Sequence, residues 1–347
     1  MSAATPRQRK AIANWLLICC ALVFVMTVLG GVTRLTGSGL SMVEWRPIMG
    51  ALPPLSAAEW QDKFEIYQET PEFRHVNPHF DVDDFKSIFW LEYLHRLLGR
   101  LIGFAFVIPF VVFAVRGYIR PGEYPKYLLM LALGGAQAFV GKIMVASGQV
   151  DAPHVSQYKL TMHLAMAVVV YIYMFWVALS LLNPAAGAQR HPWFRRTVAL
   201  AGLVTLTIVS GGFVAGLKAG LIYNTFPLMG GNWIPPGLMV LDPWWRNFFD
   251  NMTTVQFNHR ILAITTLTLI IAYWWQARQA SLPPRAAPAT TALLGAGLFQ
   301  VALGISTLLL QVPVSLAASH QGVALMLLTV TVYLAHSLRD TGIISSP

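Results

Sequence analysis

Charged residues are scarce in this sequence. Asp, Glu, Lys and Arg make up 11% of its 347 residues, whereas soluble domains carry about 25%. Hydrophobic residues account for 56% of the chain. A water-soluble fold would have to bury every apolar segment at once, and this composition excludes that. The sequence therefore predicts a membrane protein.

Cysteine is nearly absent as well. The two cysteines, Cys19 and Cys20, are adjacent inside the first apolar segment. Neighbouring residues of a helix point about 100° apart, which argues against a disulfide between them. Because there is no cysteine cluster and no His-Glu-x-x-His motif, nothing favours a zinc site. The basic residues form no cluster, so the net charge of +9 does not indicate nucleic-acid binding.

Long apolar runs dominate the chain instead. A helix crosses the hydrocarbon core of a bilayer with about 20 apolar residues. Eight stretches are long enough, at residues 12–33, 93–115, 126–147, 158–182, 197–219, 255–277, 289–311 and 314–338. The predicted fold class is therefore an all-α integral membrane protein with eight transmembrane helices.

The distribution of Lys and Arg predicts the orientation in the membrane. If the tail of residues 1–11 lies inside, the inner segments carry twelve basic residues against two acids. Short cytoplasmic loops rich in Lys and Arg set membrane topology, so both termini are expected in the cytoplasm. No small-residue cleavage site follows the first apolar run, and the tail is too short for a mitochondrial transit peptide. We therefore expect a multi-pass protein of a bacterial inner membrane.

The two halves of the sequence repeat one another. The segment from Glu92 to Arg96 matches the segment from Gln256 to Arg260, and glycine pairs at 30–31 and 211–212 also align. A unit of four helices inserts the same way up each time, so the copies would be related by an axis along the membrane normal. We expect two tandem-duplicated four-helix bundles, formed by residues 12–182, with a long outer loop at 34–91, and by residues 197–338.

Each half contains two histidines within its apolar segments. His95 and His163 are 68 residues apart, and His259 and His320 are 61 residues apart. All four are expected in the first turns of inward-running helices, at one depth near the outer face. One such histidine could simply hydrogen-bond a neighbouring helix, but ionisable groups in a membrane are costly and four at matched positions favour a function. A haem iron held by two imidazoles from non-adjacent helices accounts for each pair.

The two histidine pairs differ at one neighbouring position. Glu92 lies three residues before His95 on the same helix face, whereas the matching residue of the second half is Gln256. A carboxylate beside a haem could accept a proton or stabilise a positive intermediate. The alternative is a solvated acid that favours the helix dipole. The Glu/Gln difference predicts that only the first half carries out chemistry.

An arginine follows one histidine in each half. Arg96 and Arg260 could pair with the propionates of a porphyrin at the outer interface, or extend to lipid phosphates. Gln137 and Gln300 each precede a glycine by four residues. This repeated spacing predicts close helix packing near each histidine pair.

Specific motifs extend over nearly the whole chain. They are the stretch from Gly30 to Met42, Glu44-Trp45-x-Pro47, Pro53-Pro54 with Trp60, Glu92 to Arg96, Asn224 to Met229, Asn258-His259-Arg260 and Ser319-His320-Gln321. In this combination the sequence resembles the haem A synthase family, in the branch shared by alphaproteobacteria and mitochondria.

The resemblance implies an oxidoreductase function and a division of roles. Haem A synthases oxidise a methyl group of haem O to a formyl group and supply haem A to cytochrome oxidase. By this resemblance, His95 and His163 would hold the substrate haem, His259 and His320 would hold a permanent haem b, and Glu92 would be the essential acid. It would act by stabilising a cationic or protonated intermediate.

The same resemblance implies partners. Haem O synthase would deliver the substrate through the lipid, and cytochrome oxidase assembly would accept the product. Some relatives carry a cysteine pair in the first outer loop that this chain lacks, so the electron donor stays unidentified.

Two other functions fit part of the pattern. A di-haem b-type cytochrome for quinol-linked electron transfer would share the histidine pairs but would need no acid beside one of them. A transporter built from parallel repeats would have broken helices near the middle of the membrane. Here the polar residues cluster at the outer edge, which ranks the transporter lowest.

Overall fold

The computed structural model describes residues 5–44, 52–149, 153–184 and 190–339. Residues 1–4 of the predicted tail and the motif residues Trp45 and Pro47 lie outside the described residues. The described part is helical and has no strand, and its α-helices are α1 (Pro6–Leu35), α2 (Ala57–Gln68), α3 (Pro71–His75), α4 (Val82–Val115), α5 (Tyr124–Ala146), α6 (Gln157–Leu182), α7 (Trp193–Gly216), α8 (Asn247–Asp250), α9 (Met252–Ala277), α10 (Ala286–Leu309) and α11 (Val314–Leu338).

Eight of these helices have the length and apolar composition needed to cross a membrane, namely all except α2, α3 and α8. The predicted fold class, an all-α membrane protein with eight spans, is therefore confirmed. Large apolar side chains on the outer faces of α4 and α5 are exposed, among them Phe104, Ile108 and Phe139. Such exposure is costly in water, and it is the expected surface of a helix that faces lipid.

The helices pack as two rings of four. In the first ring, α1 and α5 each contact both α4 and α6. In the second ring, α7 and α10 each contact both α9 and α11. The rings meet where α6 packs on α7, α1 on α11 and α6 on α11. The same helix pairs touch in each half, as the predicted repeat requires; that the halves arose by duplication stays a prediction.

The centre of the protein is apolar and closely packed. Trp15 of α1 packs against Phe106 of α4, with ring centroids 4.9 Å apart, and its indole nitrogen donates to the Ala105 carbonyl over 2.8 Å. Cys19 and Cys20 are buried in this core as free thiols. They are small apolar residues of the interior.

The helix α4 begins well before the predicted start at residue 93. Asp81 caps its N-terminus, accepting from the amides of Asp83 and Asp84 over 2.8 and 2.9 Å. These acids lie where the positive end of the helix dipole favours negative charge. The hydropathy pattern detects only the lipid-embedded part of a helix, so it misses the extension into the outer loop.

A short helix in the outer loop covers this extension. The helical spacing of apolar residues at 57–69 predicts a helix, and α2 occupies that segment with Ser56 as its N-cap. Its apolar side chains Phe64 and Tyr67 are buried against Phe85 of α4, and the rings of Tyr67 and Phe85 stack at 5.0 Å. The apolar face of α2 is therefore turned towards α4.

Candidate functional site

The four histidines lie inside the two helix rings. His163, His259 and His320 are about two turns from the starts of α6, α9 and α11, and His95 is more than three turns from the start of α4. The expectation that all four lie in the first turns of their helices therefore fails for His95, which lies deeper in α4. The helix α4 begins well before its apolar segment, which places His95 further from the start of its helix than the other three histidines.

Each ring brings its two histidines together. In the first ring, α4 and α6 both pack on α1 and α5, which places them across the ring from each other. His95 and His163 are near enough to interact electrostatically, and so are His259 and His320 in the second ring. The sequence pairing of the histidines therefore corresponds to a spatial pairing.

A glycine on a neighbouring helix faces the first histidine of each ring. A Cβ atom added to Gly30 of α1 would lie 3.2 Å from Nε2 of His95. A Cβ atom added to Gly211 of α7 would lie 3.2 Å from Cε1 of His259. Each imidazole thus rests against helix backbone at a point where any larger residue would press on the ring.

The second histidine of each ring has the same support. A Cβ atom on Gly141 of α5 would lie 2.9 Å from Cε1 of His163, and one on Gly304 of α10 would lie 2.8 Å from Cε1 of His320. These two glycines end the repeated Gln-x-x-x-Gly motifs. The motif therefore marks the contact between helix backbone and imidazole, as well as close helix packing.

The glutamines of these motifs lie beside the same imidazoles. The side-chain nitrogen of Gln137 is 3.4 Å from Nε2 of His163, and that of Gln300 is 3.5 Å from Nε2 of His320. Both glutamine side-chain oxygens are buried without a hydrogen-bond partner. Contacts of this length are weak, so they leave each Nε2 available to a metal ion.

The ring of His259 is held in one orientation. Its Nδ1 is 2.7 Å from the hydroxyl oxygen of Ser210, and that hydroxyl lies 2.8 Å from the carbonyl oxygen of Thr207. The hydroxyl has one proton, which it donates to the carbonyl, so it accepts from Nδ1–H. The lone pair of the neutral imidazole is then on Nε2, the form that binds iron.

Glu92 is buried and fully engaged, with 2% of its surface exposed. One carboxylate oxygen accepts from the Ser41 hydroxyl and the Met42 amide, each over 2.8 Å. The other accepts from Arg96, over 3.0 Å from Nε and 2.5 Å from a terminal nitrogen. Glu92 is therefore a structured acid inside the protein, and the alternative of a solvated acid at a helix terminus is wrong.

Arg96 also holds the segment that follows α1. Its two terminal nitrogens donate to the carbonyls of Met42 and Glu44, over 2.7 and 3.0 Å. Glu92 and Arg96 together thus fasten this segment to α4 through one amide and two carbonyls. A porphyrin propionate would have to compete with these contacts for Arg96.

In the second half the equivalent arginine also binds backbone carbonyls, but the residue equivalent to Glu92 is a neutral glutamine. Arg260 donates to the carbonyls of Tyr223 and Thr225, over 2.9 and 2.8 Å. Gln256, also 2% exposed, donates to the Tyr223 carbonyl over 3.1 Å. At the position where the first half has a charged acceptor, the second half has a donor. At this position the first half therefore has an ionisable carboxyl group and the second half a neutral amide.

Sequence reasoning missed a second buried acid. Glu72 of α3 is 6% exposed, and one of its carboxyl oxygens is buried without a hydrogen-bond partner. Burial and the negative charge of Glu92 raise the pKa of Glu72 to about 7, against the lowering effects of Tyr67 and Lys218. An acid among the aromatic residues of the outer loop was the only sequence signal, and it is weak because loop acids are usually solvated.

These residues fit two haem sites with two histidine ligands each. The two histidines of each pair interact electrostatically and come from helices that lie across a ring from each other. Among the described residues, no group of three or more His, Cys, Asp or Glu side chains forms another metal site. The donor set suits an iron porphyrin, which supplies its own equatorial nitrogens and needs only axial imidazoles.

Comparison with known proteins identifies relatives along almost the whole chain. The family model for cytochrome oxidase assembly proteins, COX15-CtaA, matches residues 13–332. A haem A synthase of Nitrosospira multiformis is 52% identical over 335 residues, covering 95% of this chain and 94% of the relative. The mouse haem A synthase COX15 is 44% identical over 340 residues, covering 95% of this chain and 82% of the relative.

The contact between Gly304 and His320 can be tested within one helix. Gly304→Ala places a Cβ against the imidazole, and we expect a loss of about 1–3 kcal/mol in stability from overpacking. Gly295→Ala is the matched control on α10, because a Cβ there meets nothing within 4 Å and alanine favours helix by about 1 kcal/mol. Thermal unfolding in detergent measures both; a Gly304→Ala protein as stable as Gly295→Ala would contradict the close contact.

Burial of Glu72 predicts a pH-dependent stability. Its pKa in the folded protein, about 7, lies above the ordinary value of 4.5, so the folded state binds the proton more tightly. The contribution of Glu72 to the free energy of unfolding is therefore fully present below pH 4.5 and is lost as the pH rises through 7. Relative to the unchanged protein, Glu72→Gln should gain on the order of 2 kcal/mol at pH 8 and little at pH 4.5.

Thermal midpoints measured across this pH range test the prediction. Glu69→Gln, which changes an exposed acid at the end of α2, is the control. An identical pH response of Glu72→Gln and the unchanged protein would show that Glu72 is not held as described.

Proposed function

This chain belongs to the cytochrome oxidase assembly protein family, and from that premise we propose that it acts as a haem A synthase. It is a membrane oxidoreductase that oxidises one methyl group of haem O to a formyl group and so forms haem A. The observation that carries this function is its identity of 43–52% with haem A synthases over nearly its full length. A cytochrome that only transfers electrons would not explain that identity.

The location and partners follow from the product. Haem A serves cytochrome oxidase, so the enzyme acts in the assembly of that oxidase. We propose a bacterial inner membrane with both termini in the cytoplasm, supported by the excess of Lys and Arg in the inner segments. Haem O is apolar enough to arrive from haem O synthase through the membrane lipid. No contact among the described residues indicates which molecule donates the electrons.

The two halves are proposed to hold different haems. In the first half, His95 and His163 would bind haem O as substrate, because this half contains the acid. In the second half, His259 and His320 would bind haem b as a resident cofactor, supported by the fixed orientation of His259. Haem b would supply one-electron transfer when bound.

Glu92 is proposed to act as a fixed negative charge. Its two oxygens already accept hydrogen bonds from Ser41, Met42 and Arg96, so taking up a proton would cost at least one of these bonds. A preorganised charge in a site shielded from water stabilises positive charge that develops on a substrate. This favours electrostatic stabilisation of the methyl carbon undergoing oxidation over general-base catalysis.

Arg96 is proposed to position Glu92, and Arg260 is its structural counterpart. Both arginines hold the segment that follows the first helix of their half, at Met42 and Tyr223 respectively. Their role as propionate partners stays a prediction. In the first half the same contact also aligns the carboxylate, so the arginine supports the chemistry indirectly.

Glu92→Gln tests the role of the charge. Glutamine retains the shape and one acceptor oxygen, so both haems should stay bound. We expect the yield of haem A to fall by about 100-fold or more, as for the loss of other preorganised electrostatic groups. Haem content and haem A are measured by pyridine haemochrome spectra of the purified protein.

Glu59→Gln serves as the control, since Glu59 is exposed on α2. A normal yield of haem A from Glu92→Gln would remove Glu92 from the reaction. Loss of haem from this variant would show instead that Glu92 is needed for binding.

His259→Ala tests the assignment of axial ligands. Removing this imidazole should cost one haem per chain, and the lost haem should be haem b. His79→Ala is the matched control, because His79 is exposed in the outer loop. Unchanged haem content in purified His259→Ala would refute the ligand assignment.

A further inference from the structure

We propose that Ser210 locks His259 as a permanent haem ligand, whereas Leu29 at the matching position leaves His95 able to release its haem. The second half would therefore retain haem b while the first half exchanges substrate for product. This inference rests on the proposed function, because it assigns a resident haem and a transient haem to the two halves.

The lock consists of a chain of hydrogen bonds within the second half. Ser210 accepts from Nδ1–H of His259 over 2.7 Å and donates to the Thr207 carbonyl over 2.8 Å. The Thr207 hydroxyl is 2.9 Å from the Thr266 hydroxyl of α9, the helix that carries His259. The ring is therefore fixed by α7, and α7 is tied to the helix of the ligand.

The glycine contacts establish which residues correspond in the first half. Gly30 and Gly211 each face the first histidine of their ring, so the residues before them, Leu29 and Ser210, are equivalent. A leucine side chain cannot accept from an imidazole N–H. The residue equivalent to Thr207 is Met26, whose terminal methyl packs towards Gly99 of α4. The first half thus has apolar packing where the second half has the hydrogen-bond chain.

The physical consequence is a difference in ligand strength. A histidine that donates its second ring N–H to a fixed acceptor is oriented and made more basic, and loss of such a partner costs about 10–100-fold in metal affinity. His259 has this support from Ser210. His95 rests against Gly30, and the neighbouring Leu29 offers it no such acceptor, so its ring is less firmly oriented and loses more orientational entropy each time it binds iron.

This asymmetry matches the demands on the two sites. An enzyme that modifies a haem has to bind haem O and release haem A in every cycle, so the histidines of that site must dissociate from the haem iron. A resident haem b has to remain bound through the same cycle. Reciprocal changes at Leu29 and Ser210 would interconvert these properties without altering any ligand.

The test measures haem release from the full-length purified protein in detergent. Excess apomyoglobin captures released haem, and pyridine haemochrome spectra distinguish haem b from haem O and haem A. Ser210→Ala should release haem b about 10–100-fold faster, and Ser210→Thr, which retains the hydroxyl, should release it slowly. Leu29→Ser should slow the release of haem O and haem A by a similar factor.

A control and a second readout separate ligand fixing from general structural damage. Thr205→Ala removes another hydroxyl of α7, one that bonds only the Ala201 carbonyl, and should leave haem release unchanged. The largest g value in the EPR spectrum of oxidised haem b should shift in Ser210→Ala and stay constant in Thr205→Ala, because it reports the imidazole bond to iron.

The outcomes decide the proposal independently of haem A synthesis. Equal release rates for Ser210→Ala and Thr205→Ala would overturn it, and so would a Leu29→Ser protein that releases haem O as fast as the unchanged chain. If Ser210→Ala does not assemble, the Leu29→Ser result alone supports or overturns the lock. If the variants show these differences in haem release but the unchanged protein forms no haem A, the proposed function is contradicted. The proposal for Ser210 and Leu29 is then still supported.

Discussion

Close contact between imidazole rings and helix backbone is the constraint on which the rest of the structure depends. Hydrocarbon offers no water to a polar side chain, so a histidine in a membrane-spanning helix is stabilised by packing against protein. A glycine on the neighbouring helix lets each ring approach the backbone, as at Gly141 and Gly304. The pairing of α1 with α4, of α5 with α6 and of their counterparts in the second half follows from these contacts.

The two halves share this arrangement of helices but differ in the polar or charged side chain at a few matching positions. Glu92 accepts hydrogen bonds where Gln256 donates one, although Arg96 and Arg260 hold equivalent carbonyls in both halves. The exchange leaves the arrangement of helices unchanged while it changes the charge in the pocket. Under the proposed function, this exchange allows one helix arrangement to serve two haem sites while only one of them carries out chemistry.

The outer covers of the two halves differ in kind. In the first half, aromatic side chains of α2 and α3 pack on α4, and Glu72 is buried beneath them near Glu92. Over the second half, Asn247 and Asn251 brace the loop by donating to backbone carbonyls at 237–244. An apolar cover lowers the local dielectric and strengthens the field of a buried charge. That difference is consistent with chemistry in the first half.

The sequence by itself determined the eight helices, the two histidine pairs and the difference between Glu92 and Gln256. Apolar length and a repeated local pattern carry that information, and neither depends on distant contacts. Only the tertiary structure decided that Arg96 pairs with Glu92, that Glu72 is buried and that Ser210 holds His259. Burial and the choice of a hydrogen-bond partner depend on which helices and loops pack together. Residues far apart in the chain create those environments, and no local pattern records them.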